Sequence, residues 1–420
     1  MFTTCKAVNH YLDQREKVGI KPGLSRVKKL LASVGFYDQP FKGIHVAGTN
    51  GKGSTVTYLA SCYEACGKRV GTFTSPSLTD RRGMIKLNQQ PMDAILYVDY
   101  FNQFFPVIDQ FEKDQDPASP FEIMVVIALK YFQDHSDVAV IEAGLGGKSD
   151  ATNVFTPIAS VITSIGYDHM QFLGTTLEDI AKQKAGIIKE EVPVIIGDVT
   201  EEAKLVIRKE ANSKRAPFYF FGDSFTIKKD NDEWLYQSMN LKLAFTLRMK
   251  GKHQAYNAAV AIKTLFVLNQ NRDNVSLGQI KKGIKEAIIK GRFEQISQRP
   301  NIVIDGAHNT EAMEMFVETV REMAEDDEKK VVLFAAFKDK PIKKMLELIA
   351  TITDHVVLTT FDHPRAATIE ELKQFTPENV TVTQTNDWLN YLHQLKADDH
   401  QVTYVVGSLD FIGKVRQNIV

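Results

Sequence analysis

Cysteine is scarce in this 420-residue chain: Cys5, Cys62 and Cys66 are its only three. That number excludes a disulfide framework, and no Cys/His spacing matches a structural zinc site, so a reducing compartment fits best. Cys62 and Cys66 lie four apart on one face of an expected helix and read as small buried hydrophobes. Charge of one sign is also missing. Lys+Arg number 51 against Asp+Glu 52, a formal net charge of -1, so no global basic field holds a nucleic-acid backbone or an anionic membrane, and any anionic ligand must be gripped locally. No stretch reaches the roughly 20 consecutive apolar residues that span a bilayer. Met1 to Lys17 mixes charges with scattered apolar residues, unlike a signal peptide, which makes a soluble, cytoplasmic protein the expectation. Short repeats and low-complexity tracts are absent.

What is present is the composition of a folded chain, 44% hydrophobic and 25% charged, at a length that calls for two domains. Apolar runs alternate with amphipathic segments, the pattern of a layered α/β protein with a mostly parallel sheet. Strands are expected at Ile44–Ala47, Arg69–Thr74, Val138–Glu142, Ala159–Ser164 and Val192–Ile196, and helices at Ser54–Cys66, Phe121–Gln133 and Leu177–Ile188. Residues 215–250 scatter aromatics among Lys, Asp and Asn without a helical period, which suggests a small antiparallel patch, and a helix returns at Ala255–Leu268. Near Gln298-Arg299-Pro300 the chain turns polar, then strand–helix alternation resumes at Ile302–Ile304, Val331–Ala335, His355–Thr359 and Val402–Val406. The expected domains are therefore 1–296, a P-loop ATPase-type domain, and 297–420, a smaller Rossmann-like domain.

The strongest chemical signal is Gly48-Thr49-Asn50-Gly51-Lys52-Gly53-Ser54-Thr55, placed between an apolar strand and a helix. Glycines let backbone N–H groups turn toward a phosphate, the helix N-terminus adds a favourable dipole, Lys52 supplies a point charge, and Ser54 or Thr55 offers a hydroxyl to Mg2+. The loop departs from G-x-x-x-x-G-K-[ST], because it is shorter and Gly53 separates the lysine from the hydroxyl. Glu142 ends another apolar strand just before Gly144-Leu145-Gly146-Gly147, where open α/β sheets place their ligands. By residue type alone Glu142 is a surface or capping residue, Lys184 a solvated helix lysine, and His169 a structural histidine.

The loop His45-Val46-Ala47-Gly48-Thr49-Asn50-Gly51-Lys52-Gly53-Ser54 resembles that of the folylpolyglutamate synthase and dihydrofolate synthase family, within the Mur ligase group of ATP-dependent amide-forming enzymes. Further matches follow in order: Thr74-Ser75-Pro76, Asp150-Ala151-Thr152-Asn153, Asp168-His169, Lys184 to Lys189, Gly251-Lys252-His253-Gln254, Gly291-Arg292-Phe293-Glu294 and Asp305-Gly306-Ala307-His308-Asn309. The resemblance implies ATP held by the loop together with Asn257, Arg292, Asp305 and His308. It also implies Mg2+ at Ser75, Glu142, His169 and Ser54, and a carbamylated Lys184 beside a second ion. Lys52, Lys184, His169 and Glu142 would carry the catalysis. The implied substrates are L-glutamate and a folate or pteroate, with Phe121-Glu122 and Asp150–Asn153 lining the pterin side, and the implied state is a monomer. Ser77 stands where the family commonly has His, and Arg82 to Ile85 where it commonly has Glu-Arg-Ile. The chemistry expected is phosphorylation of a carboxylate by ATP and attack of glutamate's amine on the acyl phosphate. A peptidoglycan-type Mur ligase and a non-catalytic nucleotide switch are the alternatives.

Overall fold

Ile44, Val46 and Ala47 form β1 (Gly43–Ala47), a strand with every residue buried, as in a parallel sheet covered on both faces. The computed structural model describes residues 1–19, 21, 23–269, 275–324, 328–398 and 400–420. Around β1 lie β2 (Val70–Phe73), β3 (Ile85–Leu87), β4 (Gln90–Pro91), β5 (Val138–Glu142), β6 (Ala159–Ile162), β7 (Val194–Ile196) and β8 (Phe218–Phe220). Their order in the sheet is β4-β3-β2-β5-β1-β6-β7-β8. All pairings are parallel except β2–β3 and β3–β4 at one edge. The aromatic stretch divides: β8 joins this sheet, while β9 (Phe225–Asp230), β10 (Glu233–Ser238) and β11 (Leu241–Phe245) form the expected antiparallel patch.

Local signals set the helix starts. Ser119 caps the helix Pro120–His135 with a Ser119/Glu122 capping box and Pro120 in the first turn, and Thr176 caps Leu177–Ala185. That second helix stops at Gly186 rather than continuing to Ile188. The helix after the glycine loop starts at Lys52, two residues earlier than expected, because Gly51 takes φ +82° as its N-cap.

By contacts the chain forms two compact units, residues 1–248 with 255–287, and residues 249–254 with 288–420. The sequence alone placed the division at 296, but β12 (Glu294–Gln298) pairs antiparallel with β13 (Asn301–Ile304), so the second unit takes in the stretch before it. With β14 (Lys329–Phe334), β15 (His355–Leu358), β16 (Thr381–Gln384) and β17 (Gln401–Val406), the sheet order is β12-β13-β17-β14-β15-β16, parallel apart from β12. Each unit has its own core. One cluster in the second gathers Phe316, Val332, Phe334, Met345 and Tyr404. In the first, Ile123, Ile127, Phe132 and Ile141 belong to one cluster and Ile162, Ile180, Ile188 and Ile196 to another. No helix is long and apolar enough to cross a membrane among the described residues.

Candidate nucleotide and metal site

Sheet register collects the sequence-marked residues of the first unit at one edge. Val46 pairs with Glu142, Ala47 with Ile162 and Phe73 with Ile141. The glycine loop, Thr163, Ser75 and Glu142 therefore all leave the C-terminal ends of four neighbouring parallel strands. The chain runs from β1 to β2 on one side and from β5 to β6 on the other, so this edge is a topological switch point, the usual ligand crevice of an open α/β sheet.

Two of the loop's glycines have no room for a side chain as the loop stands. Gly48 has φ +153° and a Cβ there would lie 1.9 Å from Thr163 Oγ1; Gly51 has φ +82° and a Cβ would lie 2.2 Å from Asn257 Oδ1. Lys52 curls over the loop, its Nζ donating to the carbonyls of Gly48 (3.0 Å) and Thr49 (3.1 Å) and standing 3.9 Å from Glu142 Oε1. Glu142 is 5% exposed. Its other oxygen would be 3.7 Å from a Cβ on Gly53, so the carboxylate sits over the first turn of the helix. Ser54 is buried but not sealed, whereas Thr55 is fully buried and its hydroxyl has no hydrogen-bond partner among the described residues.

Lys184 overturns its surface reading. It is 4% exposed, and burial, reinforced by the positive charge of Lys52, pushes its ammonium down to about 7 against the opposing pull of Asp168 and Asp150. Its helix is held beside the glycine loop at 144–147, where a Cβ on Gly147 would meet the carbonyls of Gln183 and Lys184 at 2.9 and 3.0 Å. Lys148 N donates to Gln183 O at 2.7 Å. Asn153 Nδ2 bonds the carbonyls of both Lys148 and Gly186. Asp150 fastens the same loop by accepting from Leu145 N (2.6 Å) and Thr152 N (3.0 Å) and from the Thr152 hydroxyl. Behind it the buried His45 ring is 2.8 Å from Thr152 Oγ1 through Nε2. His169 has φ +50° and stands 3.8 Å from Asp168 Oδ2.

The Mur ligase middle-domain family model matches residues 46–265, and the Mur ligase glutamate ligase domain model matches 291–409. The chain is 35% identical to the dihydrofolate synthase/folylpolyglutamate synthase of Bacillus subtilis (strain 168), over 100% of both chains. The chain belongs to the folylpolyglutamate/dihydrofolate synthase family of Mur ligases. Among solved structures, Escherichia coli FolC in complex with DHPP and ADP superposes with TM-score 0.88 at 27% identity, covering 99% of this chain and 97% of that one. The bifunctional folylpolyglutamate synthase/dihydrofolate synthase of Yersinia pestis, complexed with AMPPNP and Mn ion, gives TM-score 0.86 at 27% identity, covering 99% and 98%.

The second unit of this Mur ligase brings Arg292, Asp305 and His308 into one turn. Asp305 accepts from Phe293 N and Ala307 N, both at 2.8 Å. A Cβ on Gly306 would meet Arg292 Nη1 at 2.4 Å, so the guanidinium lies against bare backbone. Burial pushes the Asp305 carboxyl up, against the pull of Arg292. His308 Nδ1 is 2.8 Å from Gly306 O. His253 is pushed down to about 4 by burial and by Arg292, which keeps it neutral.

Among the described residues no three His, Cys, Asp or Glu side chains converge. What the strand ends of the first unit carry is the buried carboxylate of Glu142 beside the first helical turn at Ser54, with Ser75 following β2 and His169 following β6; hard oxygen donors of this kind are what Mg2+ or Mn2+ takes alongside water and phosphate. Glu122 departs from the pterin-side reading. It is 2% exposed, bonded to Ser119 and paired with Arg26 Nε at 3.0 Å, so its carboxylate is spent on the fold. Its neighbour Phe121 lies against Gly144, where a Cβ would meet the ring at 2.3 Å. Sequence reasoning missed Thr163, Ser164 and His45. Two hydroxyl residues in a row just past an apolar parallel strand were the available signal for the first pair.

Proposed function

We propose that this chain is an ATP-dependent ligase that joins L-glutamate to the carboxylate of a dihydropteroate or a folate, with ADP and phosphate as the other products. Amide formation from a free carboxylate is uphill in water, so the acid first takes the γ-phosphoryl group of ATP, releasing ADP and giving an acyl phosphate. Glutamate's amine, having shed its ammonium proton, then bonds to the acyl carbon, and the C–O bond to phosphate breaks. In this reading the backbone N–H groups of residues 51–53 and the helix N-terminus cradle the phosphates, while those of Thr49 and Asn50 are held by Ser164, and Lys52 exchanges its two loop carbonyls for phosphate oxygens. Asn257 supports the loop through Gly51, and Arg292, Asp305 and His308 are the second unit's assigned contribution to nucleotide binding.

Ser54, Ser75, Glu142 and His169 would hold Mg2+, which when bound neutralises phosphate charge. Lys184, whose ammonium burial and Lys52 lower to about 7, is readily deprotonated and then has the free lone pair that attacks CO2; loss of a proton then leaves a carbamate, an anion suited to a second ion. The reading also assigns the phosphate loop and catalysis to the first unit and the ligase fold to the second, in place of the expected 1–296 and 297–420, and describes a cytoplasmic monomer, checked by elution at the mass of one chain.

The observation that carries it is the approach of Lys52 to the buried Glu142, at 3.9 Å, over a glycine loop at the sheet's switch point. The test mixes purified chain with ATP, Mg2+, L-glutamate and either dihydropteroate or tetrahydrofolate. ADP release that requires both acceptor substrates, with a product one glutamyl unit heavier by mass spectrometry, is expected; ADP release indifferent to the pterin, or none, overturns it.

A further inference from the structure

The turn of the glycine loop is laced to the end of β6 by a reciprocal clasp of hydroxyls. Ser164 Oγ accepts from Asn50 N at 3.0 Å and lies 3.0 Å from Asn50 O, as donor. In the other direction Thr49 Oγ1 accepts from Gly166 N (2.9 Å) and donates to Gly166 O (3.0 Å). Each segment thus uses one hydroxyl to read both backbone groups of one residue in the other. Thr163 Oγ1 adds a 2.6 Å hydrogen bond to Asn50 O, and Thr49 N donates to Ser164 O at 3.0 Å.

The consequence lies in the Asn50–Gly51 peptide. In a planar trans peptide the carbonyl and the next N–H point in opposite directions. Two hydroxyls drawing Asn50 O toward β6 therefore aim Gly51 N–H away from β6. This peptide is prone to flip, because Gly51 pays little for either sign of φ. A flipped peptide would turn a carbonyl, the wrong end of the dipole, toward an anion. Resting on the nucleotide reading above, we infer that Thr163 and Ser164 are positioning residues which hold the Asn50–Gly51 peptide so that its N–H faces the phosphates of ATP. The clasp also ties the loop to the segment that runs on from Gly166 to Asp168 and His169.

The test is calorimetry of Mg2+ with a non-hydrolysable ATP analogue on the full chain, alongside melting temperature and KM for glutamate. Ser164→Ala and Thr163→Val are expected to weaken nucleotide binding about tenfold each, the scale of one lost hydrogen bond. The hydroxyl-retaining Ser164→Thr and Thr163→Ser should stay within about twofold of wild type, and the KM for glutamate at saturating ATP should not move. Ser164 is partly exposed, so its variants keep the test valid if Thr163→Val lowers the melting temperature. Wild-type affinity in Ser164→Ala overturns the inference alone, as does an equal loss in Ser164→Thr, which would make packing the cause. A wild-type chain that binds no nucleotide overturns the function proposed above as well.

Discussion

His45 is a titratable ring sealed inside the first unit, and its surroundings give it one workable charge state. Burial, with help from Lys189, pushes its pKa down to about 3, Nδ1 has no hydrogen-bond partner among the described residues, and Nε2 reaches Thr152. Because the folded pKa is depressed below the unfolded value, the unfolded chain binds the extra proton between about pH 6.5 and 3, so stability falls as pH drops through that window. Denaturant titrations should show wild type losing roughly 1.4 kcal/mol per pH unit more than His45→Gln between pH 6 and 4; parallel curves would contradict the burial argument. Lys184 and Lys52 make a second test. Lys52→Ala should weaken Mg2+-nucleotide binding by about 10- to 100-fold, the range of a charged hydrogen bond. Lys184→Ala should abolish turnover, with partial return on adding short carboxylic acids. Full activity in Lys184→Ala without them would remove the carbamate from the mechanism.

At the scale of elements, three glycines of one loop differ in what they permit. Alanine at Gly48 or Gly51 would need both a disfavoured φ and the displacement of Thr163 or Asn257. Each should cost about 1–3 kcal/mol of stability together with nucleotide affinity. Gly53 is helical and its nearest neighbour, Glu142 Oε2, is at ordinary contact distance. Gly53→Ala should therefore leave the melting temperature unchanged or higher while weakening nucleotide binding, because phosphate needs the bare backbone; thermal scans with and without ligand separate the two effects. Helix packing sets a similar limit at Gly283, where a Cβ would lie 2.5 Å from Cys62 Cα. Cys62 is accordingly the buried small residue its helical spacing suggests, with burial pushing its thiol pKa up.

For the whole molecule, two units with separate hydrophobic clusters predict more than one transition in calorimetry. Mg2+ with a non-hydrolysable ATP analogue at about a hundred times its Kd should add about 2.7 kcal/mol to whatever unfolds with the glycine loop. A single ligand-insensitive transition would count against both the division and the site. The near-zero net charge has its counterpart here, since the cationic groups assigned to nucleotide, Lys52 and Arg292, are each matched inside the fold by a carboxylate, Glu142 or Asp305.

Sequence alone determined what rests on local order. The apolar runs became buried strands, the glycine loop fell between strand and helix, and the fold class followed from alternation, since period and punctuation act over a few residues. Tertiary structure decided what depends on neighbours distant in the chain. Lys184 reads as a solvated helix lysine until the loop at 144–148 packs over it. Glu122, which the family resemblance puts in a segment lining the pterin side, has its carboxylate tied to Arg26 and Ser119, and the grip of Thr163 and Ser164 on Asn50 exists only because β6 lies beside β1. The division between units moved for a more local reason: β12 and β13 pair as a hairpin across residues 299–300, so the polar, proline-containing stretch is a turn inside the second unit and not a linker before it. Side-chain burial, and with it charge state, is a property of the assembled layers, so the chemistry of these residues is set when the strands pair.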